Sequence, residues 1–301
     1  MLQEERLKQI EYVINNSKYV NINQEKLDEW CNSLKCNLTY EHHLKKYKNI
    51  FDEKEMILLV FLLESINFCF WKEPIFVYKD KVRSSAMFQL FIEYVINNRK
   101  MLDINYLNNF SYNDFINIFG IEEGNLKKRY ESFMYTVNKI FNNNDFYNDL
   151  FKIKSVDDLY SFITDFDNFN DVSPYKGKEI YFYKRATLLV NDLFELSDTI
   201  NNNIKNIDTV LGCADYIIPS GLHFLGIFRY SNKLESFINN GIEIKHNSEY
   251  EVEIRAYTLW VIEYVKNKIG NGMNSARVDN IIWNSVHSNC KTFHKTDTIF
   301  Y

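Results

Sequence analysis

The sequence predicts a mostly α-helical protein: a single compact helical domain over 1–301, with room for two lobes, and one small β-hairpin. Three observations point there. Only 9 Gly and 3 Pro punctuate 301 residues, too few for the many turns of a sandwich or barrel. Apolar residues recur at helical spacing along most of the chain. The 24 Phe, 21 Tyr and 4 Trp give ample apolar area to bury, which excludes disorder as the main state.

The elements follow in order. Leu7, Ile10, Val13 and Ile14 mark a first helix, and Asn23 is placed to cap a second that carries Leu27, Trp30 and Leu34. Glu55 to Phe70 reads as a strongly apolar helix at the centre of the core, with Pro74 just past its end. Phe76, Tyr78 and Val82 then flank the polar turn Lys79-Asp80-Lys81, the one hairpin candidate. Met87 to Ile96 returns to helix, and Leu102 to Phe119 breaks into short pieces capped by Asp and Asn. Asn125 to Phe141, Val156 to Phe166, Tyr181 to Leu196, Ser220 to Phe228, Asn232 to Ile238, Tyr250 to Ile269 and Asp279 to Val286 complete the helical set. Asn clusters at 142–148 and 201–203 are compositional bias, because apolar residues interrupt them at structural periods.

A net charge of −5 argues against a protein that coats nucleic acid, yet leaves room for a small phosphorylated ligand. Cys31, Cys36, Cys69, Cys213 and Cys290 show no zinc-type spacing and read as free thiols of a reducing compartment. The charged start carries no signal peptide, and no apolar run reaches the ~18 residues of a membrane span. The expectation is a soluble, cytoplasmic protein.

Familiar catalytic signatures are absent: no GxGxxG, P-loop, HExxH or GxSxG. The adjacent His42 and His43 read as a surface pair. Charged groups interrupt apolar helices in three other places. In Tyr181 to Phe194, Arg185 and Asp192 share a face with Lys184 close by, as a solvated stripe, a structural ion pair or a site. Asp215 sits among small and apolar residues ahead of Pro219, either capping the next turn or placing a carboxylate in a dry pocket. Glu251 and Arg255 are an i, i+4 pair, read first as surface pairing.

Several segments in register carry a resemblance: Ile66-Asn67-Phe68-Cys69-Phe70-Trp71, Phe182-Tyr183-Lys184-Arg185-Ala186, Ala214-Asp215-Tyr216 with Pro219, Tyr230-Ser231, Glu251-Val252-Glu253-Ile254-Arg255, Trp260 with Glu263, and Phe293-His294 followed by Ile299-Phe300-Tyr301. From about Glu55 onward the chain resembles the queuosine salvage family of queuosine 5′-phosphate N-glycosylase/hydrolases. Residues 1–54 match in character only. Two places depart from the family pattern. Its usual Arg-Gly-Asp stands here as Phe110-Ser111-Tyr112-Asn113-Asp114, keeping only the Asp, and its Leu-Trp-Asp as Ile282-Trp283-Asn284.

The resemblance implies a helical fold like that of DNA glycosylases. It also implies cleavage of queuosine 5′-phosphate to queuine and ribose 5-phosphate, so that the base can return to tRNA. The transition state of such a cleavage has oxocarbenium character. Asp215 is then the catalytic carboxylate. Lys184 and Arg185, and more remotely His294 and Arg255, are candidates for the phosphate. Phe68, Trp71 and Tyr216 are candidates for stacking on the base, with Asn67 and Asn284 also at the substrate. The chemistry calls for no cofactor and no metal. The partner is a small nucleotide, without stable nucleic-acid binding. The rival readings are a nucleic-acid base glycosylase and a non-catalytic modified-nucleoside binding module.

Overall fold

The computed structural model describes residues 2–34, 42–120, 124–270, 274–287 and 292–301. The structure is mostly helical, with small two-stranded sheets. At its centre lies the helix Glu53–Ser65, which starts with a capping box: Asp52 accepts from the Glu55 amide at 2.8 Å and Glu55 accepts from the Asp52 amide at 2.9 Å. Met56 to Ser65 are all buried, so this helix is enclosed on every side. It ends five residues before the sequence-based limit, and Ile66 to Trp71 run on outside the helix. One cluster of buried apolar residues surrounds it, drawn mainly from residues 44–210. A second gathers the N-terminal helix Leu2–Asn16 and the long helix Glu249–Ile269.

The expected hairpin forms, pairing Val77–Tyr78 with Lys81–Val82 in antiparallel register. Two further antiparallel pairs are present: Val20–Ile22 with Phe228–Tyr230, and Val172–Tyr175 with Lys178–Tyr181. Phe228 therefore belongs to a strand, and the preceding helix is Ile217–Phe224. Tyr181 likewise ends a strand, so the next helix starts at Lys184. Asn23 caps Gln24–Ser33 by accepting from the Lys26 amide, as expected.

Two surface readings are corrected. His42 is buried, and its Nε2 lies 2.8 Å from Asp192 Oδ1. Asp192 thus pairs with a histidine 150 residues away rather than with Arg185 about two turns before it on the same helix. Glu251 and Arg255 are both fully buried, 3.6 Å apart. Cys31, Cys69 and Cys213 are buried free thiols, while Cys36 and Cys290 lie outside the described residues. No described helix is long and apolar enough to cross a membrane.

Candidate active site

Two buried guanidinium groups shape one wall of the site. Arg185 donates to the carbonyls of Glu64 and Ser65 at 2.9 and 2.6 Å, and to that of Asn168. Arg129 donates to the carbonyls of Ile66, Phe68 and Cys69. Together they satisfy the carbonyl end of the central helix and hold Ile66 to Trp71 in an irregular path. That path brings Asn67 and Phe68 to a cavity of about 460 Å³, within the range of small-ligand sites. Lys184, Asp215, Tyr216 and Tyr301 line it from the other side.

Asp215 arrives on the irregular stretch after Val210. Gly212 lets this stretch lie close: a Cβ there would sit 2.6 Å from Ile262 Cδ1 and 3.3 Å from Asp279 Oδ1. Asp279 also accepts from the Cys213 amide at 3.1 Å. Asp215 Oδ1 then accepts from the amides of Ile217 and Ile218, at 2.9 and 3.1 Å. The capping expected of Asp215 is therefore present. It caps the helix that follows, and its second oxygen makes no hydrogen bond among the described residues while the side chain lines the cavity. Burial raises its pKa, partly opposed by Lys184, the two amides and Arg255. Asp279 behind it is pushed up to about 7 by burial and by Asp215.

Lys184 is buried, and its ammonium has no ion-pair partner among the described residues. Glu64 is held at about 8, chiefly by burial and next by Asp192, and accepts from Asn67 Nδ2 at 2.9 Å. That bond turns the Asn67 carbonyl, an acceptor, away from Glu64. Tyr216 stacks on Phe293 with centroids 4.9 Å apart.

Part of the cavity's rim is basic. Lys81 and Arg83 line the cavity with Ser84 and Ser85, and neither cation has an ion-pair partner among the described residues. The helix Arg83–Asn97 begins here without a side-chain cap, so its first amides lack that partner. A side cavity of about 300 Å³ shares Asn67, Lys81, Ser84, Ser85 and Trp283 with the first and adds His43, Tyr47 and Phe88. A larger cleft of about 550 Å³ lies elsewhere. It carries Glu4, Asp157, Asp208 and Glu263 against the single Lys266, an acidic lining that disfavours an anionic ligand.

The family model for the queuosine salvage protein matches residues 46–301. The chain belongs to the queuosine salvage protein family. A Dictyostelium discoideum protein named queuosine 5′-phosphate N-glycosylase/hydrolase is 27% identical over 317 residues, covering 95% of either chain. A Sphaerobacter thermophilus protein of that name is 35% identical over 143 residues, 45% of this chain and 44% of its own. One from Bos taurus is 29% identical over 160 residues, 48% and 47% of the two chains.

Of the family residues singled out in the sequence, the structure brings Asn67, Phe68, Lys184, Asp215 and Tyr216 to one cavity. The others lie elsewhere. Arg185 is spent on backbone carbonyls, and Arg255 binds Asp171 through two hydrogen bonds of 3.0 and 2.5 Å. His294 is buried behind Tyr301, 3.4 Å from its hydroxyl, and burial lowers its pKa to about 4, keeping it neutral. Trp71 is half-buried beside Lys72 and Lys295. Asn284 is exposed and donates to Asn280, one position past the cavity-lining Trp283. Asp114, the residue kept from the family's Arg-Gly-Asp, completes a capping box with Ser111.

Sequence reasoning missed Lys81, Arg83, Ser84 and Ser85. Their signal is a basic turn running into a helix start, which the local pattern presents as a hairpin alone.

Proposed function

We propose that this chain hydrolyses the N-glycosidic bond of queuosine 5′-phosphate, releasing queuine and ribose 5-phosphate. The single observation that carries the reading, beside the named relatives, is the Asp215 carboxylate: one oxygen fixed by two amides, the other left for a ligand in the cavity. As the C1′–N9 bond breaks, its electron pair leaves with the base and positive charge grows on the ribose. A fixed carboxylate in a poorly hydrated site stabilises that charge without reorganising. The same oxygen can orient the attacking water, whose oxygen bonds to C1′ while a proton replaces ribose on the base.

The phosphate belongs on the basic rim, where Arg83 and Lys81 offer charge and the first turn of Arg83–Asn97 offers amides. Phe68 and Tyr216 offer aromatic surface to the deazaguanine. The side cavity, with Tyr47, Phe88 and Trp283 beside Lys46 and Lys81, offers aromatic surface to the cyclopentenediol ring of the arm, with its cationic amine left toward solvent. The whole chain acts as one domain in this reading, because Arg6 and His42 reach into the segment that carries Lys184. Kinship with the helical DNA glycosylases is part of the proposal, supported by the shared class of bond cleaved.

Two results are expected. Arg83→Ala raises KM for queuosine 5′-phosphate about tenfold or more, the worth of one charge-assisted hydrogen bond, and leaves KM for unphosphorylated queuosine unchanged. Steady-state kinetics on both substrates check this. Second, kcat depends on ionised Asp215. Lys184, Arg255, Asp279 and the two amides face this carboxylate, and burial outweighs the charges that lower its pKa. Activity is therefore lost on acidification through a limb above the ordinary carboxylate value, and a kcat–pH profile with its acid limb at or below 3.8 contradicts this.

A further inference from the structure

Lys184 faces the cavity because of the turn before it. Tyr183 is left-handed, with φ of 51°, a conformation that a bulky residue holds only when its surroundings over-determine it. The surroundings do. The Asp171 carbonyl accepts from the amides of Phe182 and Tyr183 at 3.0 and 3.2 Å, and its carboxylate accepts from the Lys184 amide at 3.1 Å. The remaining carbonyls, those of Tyr181 and Phe182, are taken by Arg6 from the N-terminal helix, at 3.0 and 2.6 Å. Arg6 is fully buried, its guanidinium also lies over the rings of Tyr160 and Tyr183, and Gln3 holds it at 2.9 Å. Gln9 accepts from the Tyr181 amide at 2.9 Å.

We infer that Arg6 is a positioning residue for the reaction: it locks the Tyr181–Lys184 turn so that Lys184 lines the same cavity as Asp215. The residue lies outside the stretch matched by the family model, which begins at residue 46, and among the described residues it hydrogen-bonds to Gln3 and to the carbonyls of that turn. The inference rests on the proposed function for its kinetic consequences and on geometry alone for its structural one.

The test uses the full-length Arg6→Met variant, which keeps bulk and loses the donors. With the turn released, Lys184 moves away from the cavity that Asp215 lines. kcat should fall on the order of 10²-fold, as when a charge lining the site is misplaced by about 1 Å. The acid limb of kcat should move to higher pH, because Lys184 opposes the rise in the Asp215 pKa. A purely structural loss would leave that limb where it is. A second readout needs no turnover: reductive [¹³C]methylation of lysines, with Lys184→Arg identifying the signal, should show the Lys184 resonance shifted in Arg6→Met. Arg6→Lys should recover part of both effects, and it carries the same criteria if Arg6→Met does not fold. A folded variant with wild-type kcat, acid limb and Lys184 resonance overturns the inference. A shifted resonance in a wild-type background that does not turn over queuosine 5′-phosphate supports the positioning and sinks the functional reading instead.

Discussion

Replacing Asp215 by Asn lowers kcat by about 10²–10³-fold, the cost of removing a comparable fixed electrostatic contact, and leaves the protein folded. The amide keeps an oxygen that can accept from Ile217 and Ile218, so the helix start stays capped. Only the negative charge goes, and it matters most once positive charge has grown on the ribose, so KM changes little. Circular dichroism and steady-state kinetics on the purified variant check both halves. Turnover within a few-fold of wild type removes Asp215 from the mechanism. Loss of folding makes the capping role the dominant one.

The largest stability effect is expected at Asp171. Its carboxylate is buried against Arg255, itself fully buried between the rings of Phe182 and Tyr301 at 4.0 and 4.3 Å. Asp171→Ala leaves the guanidinium with Glu251 at 3.6 Å as its remaining carboxylate and strips the Lys184 amide of its acceptor. Breaking a buried pair in this way costs about 3–5 kcal/mol, read from urea denaturation as a shifted midpoint. A midpoint unchanged from wild type contradicts the reading of Arg255 as a structural rather than a substrate-facing cation.

The helices were legible in the sequence because their apolar residues repeat at the period that buries them. The strands Val20–Ile22 and Phe228–Tyr230 were not, because each is three residues long and its partner lies about 200 residues away. Such pairing leaves no local pattern. Within the site, Asp215 and Lys184 stood out as charges among apolar neighbours. The same signal drew attention to Arg185 and Arg255, whose charges meet carbonyls and a carboxylate contributed by distant segments. Sequence shows that a buried charge needs a partner, not whether the partner is protein or ligand. His42 illustrates the converse: adjacent histidines carry no period, and only the fold reveals that one reaches Asp192. Arg83 was hidden by a correct reading of something else, since the hairpin that was recognised also delivers a helix start to the cavity.

The central claim is tested most directly by incubating the purified chain with queuosine 5′-phosphate and following the products by mass spectrometry. The account predicts free queuine and ribose 5-phosphate in equal amounts, formed by the wild type and nearly abolished in Asp215→Asn. Intact nucleotide after prolonged incubation with the folded wild-type protein, with the ligand bound but uncleaved, contradicts it.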